Sequence, residues 1–324
     1  MKRYDVVALG ELLIDFTQNG KSEQGNPVME ANPGGAPCNV LAMLNRLGRK
    51  TAFIGKVGND MFGNQLEASL REAGIDTQGL KRDESVNTTL AFVHTREDGD
   101  REFSFYRNPG ADMMLKEADL EEGLLENCRI FHFGSLSMTH EGCRRATQKA
   151  ISIAKQSGAV LSFDPNVREA LWSDLQEARE QICFGLENCQ ILKISDNEIQ
   201  WLTGEEDFDK GIGMIQEKYG IPMILLSMGK SGSRAYTKNC RAEQPVYIQD
   251  GTIETTGAGD TFCGCVLNYI LEHGGNDFEK EELEEMLRFA NAAASIVTTR
   301  KGALRVMPDP NEIESLIKAM GGCR

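Results

Sequence analysis

Short apolar runs alternate with longer amphipathic segments over most of this 324-residue chain. Six runs have the length and composition of buried β-strands: residues 6–9, 51–54, 130–133, 160–163, 191–194 and 223–226. Between them, apolar residues recur at helical spacing, most clearly at 39–47, 61–73, 141–155 and 175–186. Continuous apolar strands that alternate with helices are typical of a mainly parallel sheet covered on both faces. The pattern therefore predicts an α/β core.

Two segments interrupt this alternation. Residues 88–94 and 101–106 flank a polar stretch that contains Asp98-Gly99, which is a strong hairpin signal. Residues 12–32 lack a helical period and contain two glycines and a proline. Both segments predict a small β-sheet inserted into the core, unless they are only two surface hairpins. The predicted boundaries are 1–11, 33–86 and 112–324 for the core, and 12–32 with 87–111 for this insertion, which we call the β-lid.

Composition and charge exclude several functions. The 35 basic and 49 acidic residues leave a formal charge of −14, and such a surface repels nucleic acid and anionic lipid. The densest basic cluster is the pair Arg144-Arg145, so we expect no nucleic-acid partner, and the charge favours a neutral substrate. No apolar run approaches the roughly 18 residues of a membrane span, and the first residues lack the features of a signal peptide.

Cysteine and histidine usage indicates the compartment. The nine cysteines are an odd number without a Cys-x-x-Cys pair, which is typical of reduced thiols in a cytoplasmic protein. The four histidines are scattered and form no His-Glu-x-x-His sequence, so a zinc site is not expected. We therefore expect a cytoplasmic protein with no membrane partner.

The most specific chemistry lies at residues 254–262, ETTGAGDTF, where a glycine-rich turn enters a helix. The first amides of a helix have no internal acceptor and its dipole favours anions, so this turn predicts a phosphate site with Asp260 beside it. The dipole should also favour the charged form of Asp260 and make it a weak base. The alternative is that Asp260 only caps the helix.

Other polar residues stand at turns and helix starts. Residues 32–39 place two adjacent glycines before a helix, where the amide of Asn39 can donate and accept hydrogen bonds or simply lie in a turn. Ser195-x-x-Glu198 before an apolar run predicts a capping box, unless Glu198 holds a metal-bound water near phosphates. Arg107 and Arg168 lie in proline-containing turns, either as surface arginines or as donors to sugar hydroxyls or a carboxylate.

Together these segments resemble the ribokinase-like (PfkB) family of carbohydrate kinases. The resemblance covers essentially the whole chain from GELLIDF at 10–16, and two motifs are highly specific, PGGA-x-x-N at 33–39 and TTGAGDTF at 255–262. Residues 106–112 and 164–172 most resemble bacterial-type fructokinases. The resemblance implies a ribokinase-like three-layer α/β/α core with a mainly parallel sheet and a small inserted β-sheet lid.

The resemblance also implies an activity, the phosphorylation of a sugar hydroxyl by ATP with Mg²⁺, with D-fructose giving fructose 6-phosphate. Asp260 would accept the hydroxyl proton, and an anion hole for the phosphoryl group would be formed by the amides of Gly257, Ala258 and Gly259. The sugar side would be lined by Asp15, Gly34, Gly35, Asn39, Arg107 and Arg168. The nucleotide side would be lined by Ser195, Ser227, Gly229, Gly232, Asn291 and Ser295. The alternatives are a 2-keto-3-deoxygluconate kinase, a ribokinase, a nucleoside kinase and a non-catalytic sugar-binding regulatory protein.

Two cations and a partner are implied in the same way. Glu198 would hold Mg²⁺ through a water, although the family's usual Asn-x-x-Glu begins here with Ser195. Many members carry Asp where this chain has Glu254, which leaves its dependence on potassium open. A monovalent cation such as K⁺ would lie near Glu254, Thr256, Val297, Arg300 and Gly302. The β-lid would exclude water and suppress ATP hydrolysis, and since such lids often pair between subunits, a homodimer through the β-lid is expected.

Overall fold

The computed structural model describes residues 2–95, 101–249, 251–275 and 277–321. Its strands are β1 (Tyr4–Leu9), β2 (Leu13–Lys21), β3 (Pro27–Gly34), β4 (Thr51–Gly58), β5 (Asp76–Asp83), β6 (Leu90–Thr95), β7 (Arg101–Tyr106), β8 (Cys128–Gly134), β9 (Val160–Asp164), β10 (Ile191–Ser195), β11 (Met223–Ser227), β12 (Ser233–Tyr236) and β13 (Arg241–Gln244). Its α-helices are α1 (Ala36–Arg46), α2 (Met61–Glu72), α3 (Glu122–Glu126), α4 (Glu141–Gln156), α5 (Leu175–Asn188), α6 (Asp196–Thr203), α7 (Phe208–Tyr219), α8 (Ala258–His273), α9 (Lys280–Val297) and α10 (Pro310–Gly321).

The larger sheet has nine strands in the order β13-β12-β11-β10-β9-β8-β1-β4-β5. Every neighbouring pair from β5 to β11 is parallel, whereas β12 and β13 run antiparallel at one edge. All six strands expected from apolar runs lie in the parallel part, which confirms the α/β core. The three strands that the pattern missed, β5, β12 and β13, lie at the sheet edges and have no continuous apolar run.

Helices cover both faces of this sheet because successive strand residues point to opposite sides. Val6 and Ala8 of β1 pack into a cluster with α1, α8 and α9, while Val7 and Leu9 pack into a second cluster with α4 and α5. The four helices expected from sequence periodicity appear as α1, α2, α4 and α5. The resulting three layers are the predicted α/β/α arrangement.

The smaller sheet has four strands in the order β3-β2-β6-β7. Strands β2 and β3 form one antiparallel pair and β6 and β7 form another, and a parallel pairing of β2 with β6 joins the two. This pairing confirms a separate small sheet, since two isolated surface hairpins would not share it. The Asp98-Gly99 turn lies outside the described residues.

Two observations bear on the compartment. Within the described ranges, no helix is both long and apolar enough to cross a lipid bilayer. The eight cysteines in the same ranges are all unpaired.

Candidate active site

A cavity of about 820 Å³ lies between the smaller sheet and one edge of the larger sheet. Because the large sheet is parallel, the carboxyl ends of its strands meet at that edge, which is where ligands bind in open α/β sheets. The smaller sheet contributes Leu13, Asp15 and Phe105 to the wall. The rest of the wall includes Glu11, Gly35, Ala36, Asn39, Leu136, Asn166, Arg168, Lys193, Ser195, Glu198, Lys230, Gly257, Gly259 and Asp260, together with residues 252–256.

The glycine-rich motif forms the turn that begins α8. Gly257 has a left-handed backbone with φ of 78°, and a Cβ there would lie 2.8 Å from the Cβ of Ala303. The amide of Ala258 donates a hydrogen bond of 3.3 Å to the carbonyl of Thr255, which closes the turn. Gly259 and Asp260 follow in the first turn of the helix, where amides have no intrahelical acceptor. The amide of Ala258 is therefore used within the turn, and the anion site at the start of α8 stays a prediction.

Asp260 lies at the same helix start, with a carboxylate that keeps some access to the cavity. Its Oδ2 accepts a hydrogen bond of 2.8 Å from Nδ2 of Asn39. Burial raises the pKa of Asp260 to about 6, although the Asn39 hydrogen bond opposes the rise. This direction is opposite to the one expected from the helix dipole, and its largest cause is the removal of water from the carboxylate. Asp260 is thus poised to accept a proton near neutral pH.

Lys193 and Asp164 form a buried ion pair beside this turn, and the sequence analysis missed both. Nζ of Lys193 lies 3.0 Å from Oδ2 of Asp164, and a Cβ on Gly259 would lie 3.3 Å from the same Nζ. Burial opposes the charge, but Asp164 and Glu198 outweigh it and raise the pKa of Lys193. A lysine inside the apolar strand 191–194 was the available signal, since buried charges are paired.

Asp15 and Gly35 lie in the cavity wall, whereas the adjacent Gly34 has a different role. Burial and the neighbouring Glu254 raise the pKa of Asp15 to about 7. A Cβ on Gly34 would collide with Oδ2 of Asp15, so Gly34 makes room for that carboxylate and does not itself line the cavity. Gly35 does line it, with φ of 131°. Oδ1 of Asn39 is buried and has no hydrogen-bond partner among the described residues.

Glu11 follows β1 and is a further wall residue that sequence reasoning missed. Its Oε1 accepts a hydrogen bond of 2.9 Å from the amide of Ala36, at the start of α1. Burial raises the pKa of Glu11 to about 7. Its position directly after the first strand was the available signal, because strand ends form the ligand edge of a parallel sheet.

The two arginines differ in position. Arg168 is exposed at the cavity wall, and its Nη1 donates 3.0 Å to the carbonyl of Val167. Arg107 does not line the cavity. Its guanidinium is 3% exposed and donates to Asp112 at 2.7 Å, to Thr139 at 2.8 Å and to the carbonyl of Leu136 at 3.0 Å. Arg107 therefore joins the end of β7 to the core, and its expected place beside the sugar stays a prediction.

The residues expected at the nucleotide and its metal fall into three groups. Ser195 and Glu198 form the predicted capping box of α6 and line the cavity. Asn291 and Ser295 are buried in α9, where the Asn291 amide donates to the carbonyls of residues 244 and 245 at 3.1 and 3.0 Å. Neither of these two lines the cavity: Asn291 joins α9 to the chain at the end of β13, and Oγ of Ser295 donates a hydrogen bond of 3.0 Å to the carbonyl of Ala292 within α9. The others, Ser227, Gly229 and Gly232, lie at the end of β11 and in the turn before β12.

The segments expected to surround a monovalent cation are in contact. The amides of Ile253 and Glu254 donate to the carbonyl of Thr298 at 2.8 and 3.0 Å, and Oε2 of Glu254 accepts from the amide of Gly302 at 3.1 Å. The carbonyl of Val297 accepts from the amide of Arg300 at 3.0 Å. Over the part of the chain that the structure describes, no group of three or more His, Cys, Asp or Glu side chains forms a metal cluster.

Comparison with known proteins places these features in a family. The model of the pfkB family carbohydrate kinases matches residues 3–310. A probable fructokinase-2 of Arabidopsis thaliana is 43% identical over 315 residues, which are 97% of this chain and 95% of that protein. A fructokinase of Xylella fastidiosa with bound ATP superposes with a TM-score of 0.88 at 30% identity, over 98% of this chain and 99% of the other. A double mutant of fructokinase from Vibrio cholerae, solved with fructose, ADP and potassium, superposes with a TM-score of 0.86 at 28% identity, over 98% of this chain and 99% of the other.

This chain belongs to the pfkB family of carbohydrate kinases. The activity that the resemblance implied is confirmed at the level of an ATP-dependent sugar kinase with a ribokinase-like fold. The position of Asp260 between the α8 amides and the cavity agrees with that class of reaction.

Proposed function

We propose that this enzyme transfers the γ-phosphoryl group of ATP to D-fructose and forms fructose 6-phosphate. The observation that carries the proposal is the position of Asp260, whose carboxylate faces the cavity beside the helix-start amides and has a pKa raised to about 6 by burial. The names of the relatives support fructose as the acceptor, since they include fructokinases that cover nearly the whole chain. The cavity wall carries both hydrogen-bond acceptors and donors, from Asp15, Asn39, Asn166 and Arg168. This combination suits a neutral polyol better than a sugar acid.

The chemical step follows from the same geometry. Asp260 removes the proton from the sugar hydroxyl while that oxygen forms a bond to the γ-phosphorus, and the bond from the γ-phosphorus to the β,γ-bridging oxygen breaks to release ADP. The Asn39 amide orients the carboxylate through its 2.8 Å hydrogen bond. The amides at the start of α8 stabilise charge on the phosphoryl oxygens, and the cation of Lys193 lies close to them.

A magnesium site at Glu198 fits the donor set. Both carboxylate oxygens of Glu198 accept hydrogen bonds from backbone amides, yet a carboxylate offers about four lone-pair positions, so it can also hold a metal-bound water. Mg²⁺ commonly takes its ligands from one or two carboxylates, waters and substrate phosphates, so no cluster of protein carboxylates is required. When bound, it neutralises charge on the phosphates.

Potassium activation is a further part of the proposal. The turn at Val297–Gly302 and the segment that holds Glu254 and Thr256 are joined by hydrogen bonds, so their carbonyls are close in space. The potassium present in the Vibrio cholerae fructokinase structure supports such a site here. A matched comparison of turnover in KCl and choline chloride tests it.

We also propose a cytoplasmic homodimer that pairs through the smaller sheet. On the side of that sheet opposite the cavity, Phe16 stacks on Phe92 at 4.9 Å, and Phe92 meets Tyr106 edge-to-face at 5.1 Å. Tyr106 is 66% exposed, which leaves an apolar face for a second copy. Light scattering of wild type and Tyr106→Glu checks the mass. A monomeric wild type would contradict the dimer.

The substrate is tested by initial rates of ADP release with Mg-ATP against fructose, ribose, 2-keto-3-deoxygluconate, fructose 6-phosphate and adenosine. We expect fructose to give the highest kcat/KM. A clear preference for 2-keto-3-deoxygluconate or ribose would show that fructose is not the acceptor, while the assignment as a sugar kinase would stand. If the protein binds ATP but releases no ADP with any of these acceptors, the result would instead support a regulatory sugar-binding protein.

A further inference from the structure

The carboxylate of Glu198 joins two separate parts of the active site. Its Oε2 accepts from the amide and the Oγ of Ser195 at 2.8 and 2.9 Å, at the start of α6. Its Oε1 accepts a hydrogen bond of 2.8 Å from the amide of Val167, which is 31 residues away in the loop after β9. Glu198 is 8% exposed, so this contact is largely shielded from water.

The capping box accounts for the hydrogen bonds of Oε2 but not for that of Oε1. A capping-box glutamate satisfies the backbone amide at the start of its own helix, which Oε2 does here. The contact from Oε1 to Val167 adds nothing to α6. It does satisfy an amide in the loop that carries two wall residues, Asn166 and Arg168.

That loop has an unusual backbone and is fixed from several sides. Asn166 has a positive φ of 42°, the one positive value outside glycine in the described ranges. Oδ1 of Asp164 accepts from the amide of Asn166 at 3.1 Å, and the carbonyl of Pro165 accepts from the amide of Ser135 at 3.3 Å. Glu198 adds the contact nearest to Arg168, and a charged acceptor makes it stronger than a neutral hydrogen bond.

We propose that Glu198 is a positioning residue for the sugar, in addition to any part it has in metal binding. Through Val167 it holds Asn166 and Arg168 at the cavity wall, and through Ser195 it fixes the nucleotide side. This inference rests on the proposed assignment of fructose as the sugar.

Sugar affinity in the absence of metal separates this role from magnesium binding. Fructose is titrated against the full chain in EDTA without nucleotide, and the fluorescence of Trp172 reports binding, since it lies four residues after Arg168 and the chain has only two tryptophans. We expect Glu198→Ala to raise the Kd for fructose roughly tenfold, the factor that corresponds to about 1.4 kcal/mol. Glu198→Gln should restore most of the wild-type affinity, because its Oε1 can still accept from the amide of Val167, and it loses only the acceptor for the Ser195 amide.

Two variants complete the test. Ser195→Ala weakens the cap of α6 but keeps the Glu198 to Val167 contact, so its sugar affinity should match the wild type. Glu198→Asp keeps the charge but is too short to reach both segments, so it should behave like Glu198→Ala and replaces that variant if the latter does not fold.

Four results would overturn the inference. Unchanged affinity in Glu198→Ala would show that only the metal needs this carboxylate. Equal losses in Ser195→Ala and Glu198→Ala would attribute the effect to the helix cap, and no rescue by Glu198→Gln would exclude the hydrogen bond. A wild type that does not bind fructose would defeat the substrate proposal and this inference with it, and the wild type alone reveals that case.

Discussion

Nδ2 of Asn39 donates a hydrogen bond of 2.8 Å to Oδ2 of Asp260, across a separation of 221 residues in the chain. The contact joins the starts of α1 and α8, which carry the two most specific motifs of the sequence. It fixes the orientation of the carboxylate, while Oδ1 of the same Asn39 amide is buried without a hydrogen-bond partner. Asn39 therefore acts on Asp260 through its nitrogen.

Asp260→Asn should bind ATP and sugar normally and lose about two to four orders of magnitude in turnover, the usual contribution of a general base. Asparagine caps a helix as well as aspartate does, so a capping role alone would leave turnover intact. Asp174→Asn at the start of α5 is the matched control and should keep full activity. Single-turnover rates with separate binding titrations check both variants, and near-normal turnover in Asp260→Asn would remove the base assignment.

Turnover should decrease as the pH is lowered, with a midpoint near pH 6. The pKa of Asp260 is raised to about 6, and below that pH the protonated carboxyl cannot accept the hydroxyl proton. Asn39→Ala removes a hydrogen bond that lowers this pKa, so its midpoint should move to higher pH. Rate profiles between pH 4.5 and 9 measure the shift, with Asp15→Asn as the control for titration of Asp15. An unshifted midpoint in Asn39→Ala would contradict the role of the hydrogen bond.

Gly257→Ala should lower turnover by about 10²- to 10³-fold, the effect of losing an oxyanion donor. The added methyl group would collide with Ala303 and would disfavour the left-handed backbone at the anion site. Gly274→Ala is the control at the other end of α8, because its φ is 76° and open space surrounds it. It should cost about 1–2 kcal/mol of stability and leave kcat unchanged. Equal losses of kcat in the two variants would show that the loss comes from disruption of α8 as a whole and not from the anion site.

Arg107→Ala should lower the free energy of unfolding by about 3–5 kcal/mol, because it leaves the buried carboxylate of Asp112 without its cation. Arg168→Ala changes an exposed side chain, so its stability should stay within about 0.5 kcal/mol while KM for the sugar rises. Urea unfolding and steady-state kinetics compare the two variants. If Arg107→Ala is as stable as the wild type but has a raised KM for the sugar, we would conclude that Arg107 contacts the sugar.

Asp15→Asn should be more stable than the wild type at pH 8, and the difference should disappear as the pH falls below about 5. The pKa of Asp15 is raised to about 7 in the folded enzyme and is near 4 when unfolded, so folding favours its protonated form. The stability that this preference provides is complete below pH 4 and is lost as the pH rises through 7. Melting temperatures of the ligand-free enzyme measure it, and Glu23→Gln in the exposed turn before β3 should show no such trend.

The hydrophobic pattern predicted the centre of the large sheet and failed at its edges. Strands 6–9 and 191–194 are buried on both faces, so their sequences are apolar except for Lys193 and are easy to recognise. Strands β5 and β13 form the two edges of the sheet and β12 lies next to β13, and the polar residues of these three strands interrupt the apolar pattern. The motifs at 33–39 and 255–262 could be found because close backbone contacts and a left-handed turn require glycine there.

The amino-acid sequence by itself determined the α/β core, the glycine turn before α8 and Asp260 as its acidic residue, because periodicity and backbone conformation are local properties. Only the tertiary structure decided which charged groups meet. It paired Arg107 with Asp112 away from the cavity, paired Lys193 with Asp164 beside the anion site, and raised the pKa of Asp260 by burial. The physical reason is that the environment of a charge depends on chain segments that lie far apart in sequence, and no local pattern contains that information.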